Sequence, residues 1–202
     1  YMNMKVSLPA DHKGRPDWKF MDRFMRSLHH KAIKTSVHKK DIPEFHMPEW
    51  KEYKMDALFH IEKGKRLTKA DMIDGQDNYL GAISHNNGVR QKISASKLWE
   101  ANCITVNYNG SVGEAFYQPK PFWASDDVNV LYAKDFWKMN KYIAMFLITV
   151  IKANKYRFGY GRKWTLEKMK ETVLKLPSQE TGTPDFLYME NYIKSLPYSD
   201  RI

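Results

Sequence analysis

The sequence predicts an α+β fold, a β-rich central module with flanking long helices, and three features predict it. A hairpin signal centres on Asn109-Gly110, a strongly apolar helical stretch follows, and strands and helices are segregated instead of alternating as strand-helix-strand units. In chain order, Val6-Ser-Leu-Pro9 reads as a strand end, stopped by a proline with no amide hydrogen to give a ladder. Pro16-Asp17 then opens a helix, because proline suits the first turn and aspartate the positive end of the dipole. Strands are expected at residues 57–61, 79–83 and 128–133, with Asn86-Asn87-Gly88 as a tight turn. Residues 104–108 and 111–117 form the hairpin, since Asn109-Gly110 accepts the positive φ angles of a type I′ turn. Residues 136–154 make a helix apolar on most faces, Arg157-Phe-Gly-Tyr-Gly-Arg162 a basic loop, and a short helix carries Leu166, Met169 and Val173. Leu174-Lys-Leu-Pro177 is a second strand end, and Pro184-Asp185 opens the last helix.

A chain of 202 residues has room for one core and short appendages. Its single cysteine, Cys103, excludes an internal disulfide framework and a cysteine-based zinc cluster, and it suits a reducing compartment. The longest apolar run, residues 142–151 between Lys141 and Lys152, is about half of what a helix needs to cross a bilayer. No secretory leader is indicated, so a cytoplasmic protein with no membrane association is expected.

The charge is more telling. Thirty-three Lys and Arg against 23 Asp and Glu leave a net +10, which favours a polyanionic partner. The excess is uneven: residues 1–40 hold ten basic side chains and three acids, and residues 151–170 hold seven basic side chains against Glu167 alone.

The chain also repeats itself. Residues 6–28 recur as 174–196 at a constant offset of 168 with no gap: Pro9 matches Pro177, Gly14 matches Gly182, and Pro16-Asp17 matches Pro184-Asp185. In each copy apolar residues fall at i, i+3, i+7 and i+10, namely Trp18, Met21, Met25 and Leu28, then Phe186, Met189, Ile193 and Leu196. Each set is a seam that docks either on the module's own core or on a partner helix.

No motif supplies catalysis. Gly159-Tyr-Gly161 lacks the third glycine of a nucleotide loop, no Gly-x-Ser-x-Gly elbow occurs, and no Pro-Pro dipeptide is available for an adenine methyltransferase tetrad. All seven histidines precede residue 86 without metal-ligand spacing, so no metal site and no catalytic residue is assigned. What remains is binding chemistry. Lys63, Lys65, Arg66 and Lys69, with Arg157, Arg162 and Lys163, offer phosphate contacts. Asn86, Asn87, Arg90, Asn107, Asn109 and Gln118 are side chains able to read base edges, although Asn at a turn has an equally good backbone explanation. Two rivals stay open: a small DNA nuclease built on Pro16-Asp17 and Glu49-x-Lys51, and an RNA-binding or assembly protein that shares only the charge.

Taken together, Phe59-His-Ile-Glu-Lys-Gly-Lys-Arg-Leu-Thr, Asn86-Asn-Gly-Val, Asn102-Cys-Ile-Thr-Val followed by Gly110-Ser-Val-Gly-Glu-Ala-Phe-Tyr117, and Tyr160-Gly-Arg-Lys163 with Leu-Lys-Leu-Pro177 resemble a target recognition domain of type I restriction-modification specificity subunits and of related type II specificity subunits. The resemblance implies a β-rich recognition domain over 44–177, with spacer helices in 1–43 and 178–202. It implies a non-catalytic component that reads one half of a split target in double-stranded DNA and docks adenine methyltransferase and restriction subunits, with S-adenosylmethionine in the methyltransferase partner and no cofactor here. One recognition domain is present where the family pattern has two, so a second domain or a homodimer is expected to complete the pair, or the chain is the specificity end of a longer enzyme.

Overall fold

Cys103-Ile-Thr-Val-Asn107 offers small or apolar side chains to both sides of a strand, and as β5 (Cys103–Asn107) it is buried at all five residues. It lies inside a four-stranded sheet in the order β2 (Phe59–Lys63), β8 (Val128–Ala133), β5 and β6 (Ala115–Gln118), antiparallel throughout. The computed structural model describes residues 7–28, 48–96, 98–159 and 161–199. Val6, Tyr160, His29, His30, His38 and His46 lie outside them, as do Lys5, Lys31, Lys34, Lys39 and Lys40 of the amino-terminal basic cluster. The chain divides into two units, Tyr1–His38 and Lys39–Ile202.

In the larger unit the period-two alternation of the central sheet assigns residues to two layers. On one face Phe59, Ile104, Val106 and Leu131 meet the principal core, which includes Ile143, Leu147 and Ile151 of α3 (Lys141–Ala153). On the other face Cys103, Val128 and Val130 pack with Leu80, Phe122 and Ala124 from a second sheet, ordered β4 (Val89–Ser94), β3 (Ile73–Leu80), β7 (Phe122–Ala124), whose β3 and β7 run parallel. A two-stranded ribbon, β1 (Glu49–Lys54) with β9 (Val173–Ser178), adds Leu174 and Leu176 to the principal core. Pro177 is tolerated inside β9 because the ribbon has only two strands and leaves it an open edge.

Several expected boundaries move. Residues 55–58 form one helical turn, α2 (Met55–Leu58), so the expected strand at 57–61 begins at Phe59. The strand expected at 79–83 ends at Leu80, and the one at 128–133 is β8 as expected. The hairpin pairs Val106 with Ala115, leaving residues 108–114 as its loop instead of a two-residue type I′ turn. Asn109 commits its amide to Asp127 Oδ1 at 2.9 Å, and only Gly110 of the pair has a positive φ, at 61°. The apolar helix starts at Lys141, where the Asn140 side chain accepts the amides of Tyr142 and Ile143. Val173, expected in the short helix, opens β9 instead, because α4 (Leu166–Glu171) ends at Glu171.

The two repeat copies adopt the same local geometry. Ala10 bridges Pro16 as Ser178 bridges Pro184, and Gly14 and Gly182 both have positive φ, at 73° and 84°. Asp17 caps α1 (Trp18–Ser27) through the Phe20 amide at 2.8 Å, and Asp185 caps α5 (Phe186–Ser195) through the Tyr188 amide at 2.9 Å. Both helices run 10 residues, about 15 Å. Their seams differ in burial. Phe186 stacks on Trp137 with centroids 4.4 Å apart, Met189 and Ile193 are buried in the principal core, and only Leu196 is exposed, so this seam docks within its own chain and is not free for a partner helix. Along α1 no residue is buried: Trp18 is 68% exposed and Met25 58%. We therefore expect Ile193→Ala to cost about 2–5 kcal/mol. The change Met25→Ala at the matching position of the first copy should stay within ~0.5 kcal/mol. Urea unfolding of the two variants tests the difference.

Candidate nucleic-acid interface

Strand register decides which loops meet. Lys63 pairs with Asn129, Asn107 with Val128, and Leu80 with Ala124, so the segments that follow β2, β3 and β5 and the one that precedes β8 emerge at one end of the two sheets. There they enclose a polar groove of about 460 Å³ lined by Arg66, Lys69, Tyr79, Arg90, Asn109 and Asp126 among others. Four of the residues singled out in the sequence, Arg66, Lys69, Arg90 and Asn109, are thereby brought together from three separate segments.

Glycines set the spacing. Gly64 donates its amide to Val128 O at 2.8 Å, and Lys65 donates to Ala124 O at 2.9 Å, which seats the basic loop on the turn between β7 and β8. A Cβ at Gly64 would lie 2.0 Å from Ser125 O and 2.7 Å from Val128 O, so no side chain fits. At Gly81 a Cβ would come within 3.1 Å of Arg90 Cδ, and the bare backbone lets the arginine lie across it. Asp126 sits 4.0 Å from Arg66, a weak restraint that leaves the arginine side chain 79% exposed. Burial, followed by the charge on Asp126, raises the Tyr79 phenol above its usual range, against the opposing effect of Arg90.

The 108–114 loop links this groove to the other basic groups. Ser111 donates its amide to Ala82 O at 3.2 Å, and Lys63 stands over the Tyr108 ring, 5.4 Å from its centroid. On its far side Glu114 pairs with Lys152 at 2.7 Å and Lys155 at 2.8 Å. Burial pushes the Glu114 carboxyl up, and those two ammonium groups outweigh it and hold the carboxyl below its usual value. Arg157 is exposed on the turn that begins at Lys155.

The remaining candidates are placed differently. Asn107 is 2% exposed and donates to Ile83 O at 3.0 Å; Gln118 is 1% exposed and donates to Asn87 O and Thr105 Oγ1. Both are corrected from base readers to loop braces, because their side chains are buried and their amides are committed to groups of neighbouring segments. Asn87 donates to Tyr117 O at 3.0 Å and Asn86 to Val89 O at 2.8 Å, each with φ of 50°, so both chiefly build the turn. Lys65 lines a neighbouring cleft, and Arg162, which bridges Gly159, and Lys163 are exposed and are not among the residues that line the groove. Sequence reasoning missed Gly64, Gly81, Asp126 and Tyr79; only the glycine between two lysines carried a local signal. The groups of the nuclease alternative have structural partners, since Asp17 caps α1 and Glu49 pairs with Lys51 at 3.3 Å.

A polar, loop-lined groove carrying three basic side chains at the end of a β-rich module suits a recognition surface, and comparison with known proteins gives the family. The model of the family described as "Type I restriction modification DNA specificity domain" matches residues 47–197. The specificity subunit S.BcgI of a type II restriction enzyme of Heyndrickxia coagulans is 35% identical over 198 residues, covering 95% of this chain; the chain spans 57% of that relative's length. Among solved structures, the S subunit of the type I restriction-modification system of M. genitalium aligns with a TM-score of 0.56 at 19% identity, over 80% of this chain and 41% of its own. The HsdS subunit of Thermoanaerobacter tengcongensis aligns with a TM-score of 0.53 at 12% identity, over 74% of this chain and 38% of its own. The chain belongs to the type I restriction-modification DNA specificity domain family. Its fold is the α+β arrangement expected. No helix among the described residues is long and apolar enough to cross a membrane.

The seat of the basic loop can be tested directly. Gly64→Ala should cost about 1–3 kcal/mol in urea unfolding, as an overpacked site does, because the new methyl meets rigid carbonyls and not a movable side chain.

Proposed function

We propose that this chain binds double-stranded DNA sequence-specifically, reading one half of a split target, while separate subunits methylate and cleave. The observation that carries this reading is the convergence of Arg66, Lys69, Arg90 and Asn109 on one groove in a family of DNA specificity domains. Arg66 and Lys69 suit phosphates, with Lys63, Arg157, Arg162 and Lys163 extending the footprint. Arg90, laid across Gly81, suits a guanine edge, and Asn109, held by Asp127, an adenine edge. Adenine methyltransferase and restriction subunits are the partners in this reading, and S-adenosylmethionine belongs to the methyltransferase. A cytoplasmic location follows from that role.

The proposal also assigns a second recognition domain to the exposed face of α1. Trp18, Met21 and Met25 occupy the positions that Phe186, Met189 and Ile193 fill in the second copy, where they are packed against a module of this architecture.

Fluorescence anisotropy with duplex DNA between 50 and 200 mM salt checks the first claim: affinity should fall by ~10³ or more if six phosphates are neutralised. Lys69→Ala should weaken all sequences alike, whereas Arg90→Ala should cost about 1–3 kcal/mol and relax one base position in a selection from a randomised pool. A salt-independent affinity would overturn the reading.

A further inference from the structure

Beside the polar groove lies a larger, open and mainly apolar cleft of about 790 Å³. Its floor follows from register. Tyr132 faces His60 across the β2 and β8 ladder, so Glu62, two residues on, shares its side of the sheet. Trp123 and Trp99 form the opposite wall, edge to face at 83° with centroids 5.5 Å apart. The Trp123 indole donates to Lys65 O at 3.1 Å, and the Tyr132 hydroxyl donates to Glu100 O at 3.2 Å, so both rings are held by backbone groups. The Cys103 thiol lies beneath, pushed up to about 12 by burial and kept uncharged. Glu62 and Glu100 reach the rim exposed, and among the described residues neither carboxylate has a hydrogen-bond or ion-pair partner in a chain of net charge +10.

We propose that this cleft receives a guanidinium side chain presented by a partner polypeptide. Aromatic faces attract a cation through their quadrupole, and a planar guanidinium stacks on indole while its edge donates to carboxylates in a fork that an ammonium does not reproduce. Lys65 also lines the cleft, and the two carboxylates outweigh its single ammonium, which favours a cation over a phosphate and sets the cleft apart from the neighbouring groove. An open cleft also suits a group carried on another surface better than an enclosed small molecule. The arrangement, large aromatics ringing one desolvated charge, is that of an interface anchor. This assignment does not depend on the groove contacting DNA.

The test uses the full chain and acetyl-arginine amide as probe, followed through the tryptophan indole N–H resonances in ¹H–¹⁵N spectra, with Trp99→Phe and Trp123→Phe supplying the assignments. The arginine amide should shift both indole signals, and the isosteric neutral acetyl-citrulline amide should not. The double variant Glu62→Gln, Glu100→Gln should weaken the interaction about tenfold while retaining the same unfolding midpoint. No shift up to the solubility limit, a shift unchanged in the double variant, an equal response to citrulline, or a response to cytidine instead would each overturn the proposal. Loss of DNA binding in the anisotropy experiment would leave it standing.

Discussion

The arrangement depends on one constraint: β5 and β8 are covered on both faces, so their residues must satisfy two cores at once. Ile104, Val106 and Leu131 belong to the principal core and Cys103, Val128 and Val130 to the smaller one. A slip of one residue would exchange the two sets, placing Thr105 and Asn107 where α3 now packs. With register held that firmly, the loops at the sheet ends have no freedom in where they begin. The groove is therefore a consequence of strand pairing, and its basic side chains are mounted on a frame whose cost of distortion is the cost of disrupting both cores.

Charge and geometry act at different levels. Net charge would attract a polyanion from a distance, and its effect weakens with salt. Discrimination among partners requires groups fixed in place, and here fixation is local: Gly64 admits the basic loop to the β7 and β8 turn, Gly81 gives Arg90 a bed, and Asp127 holds Asn109. The buried amides of Asn107 and Gln118 contribute by bracing the connections around the groove, not by facing it. Two clefts then adjoin across the Lys65 and Arg66 segment, one polar, with Arg66, Lys69 and Arg90 beside Asp126 and Asp127, the other aromatic with a carboxylate rim.

The repeat shows how one sequence pattern leads to two environments. Both copies cap a 10-residue helix with aspartate, place a left-handed glycine before it and close the loop with the same bridge. Those features are local, set by residues within about ten positions of each other, and they form alike. Burial of the seam is not local. Phe186, Met189 and Ile193 are covered because Trp137 and α3 lie against them, a fact about a remote part of the chain that the seam itself does not encode.

The same division holds for the whole molecule. Local chemistry in the sequence was enough to determine the α+β class, strand β8, the Asn86-Asn87-Gly88 turn, the presence of α1 and α5 and the basic character of residues 63–69, though Pro16 and Pro184 lie just outside the helices, whose caps are Asp17 and Asp185. It misplaced the hairpin turn, because Asn109 answers to Asp127 eighteen residues away and not to its neighbour's φ preference. It could not separate Arg90, which reaches the groove, from Gln118, which is buried, since both are polar residues near turns. Only the tertiary structure decided that, because exposure and partnership are set by strand pairing between segments distant in the chain, while capping and turn formation are settled among neighbours.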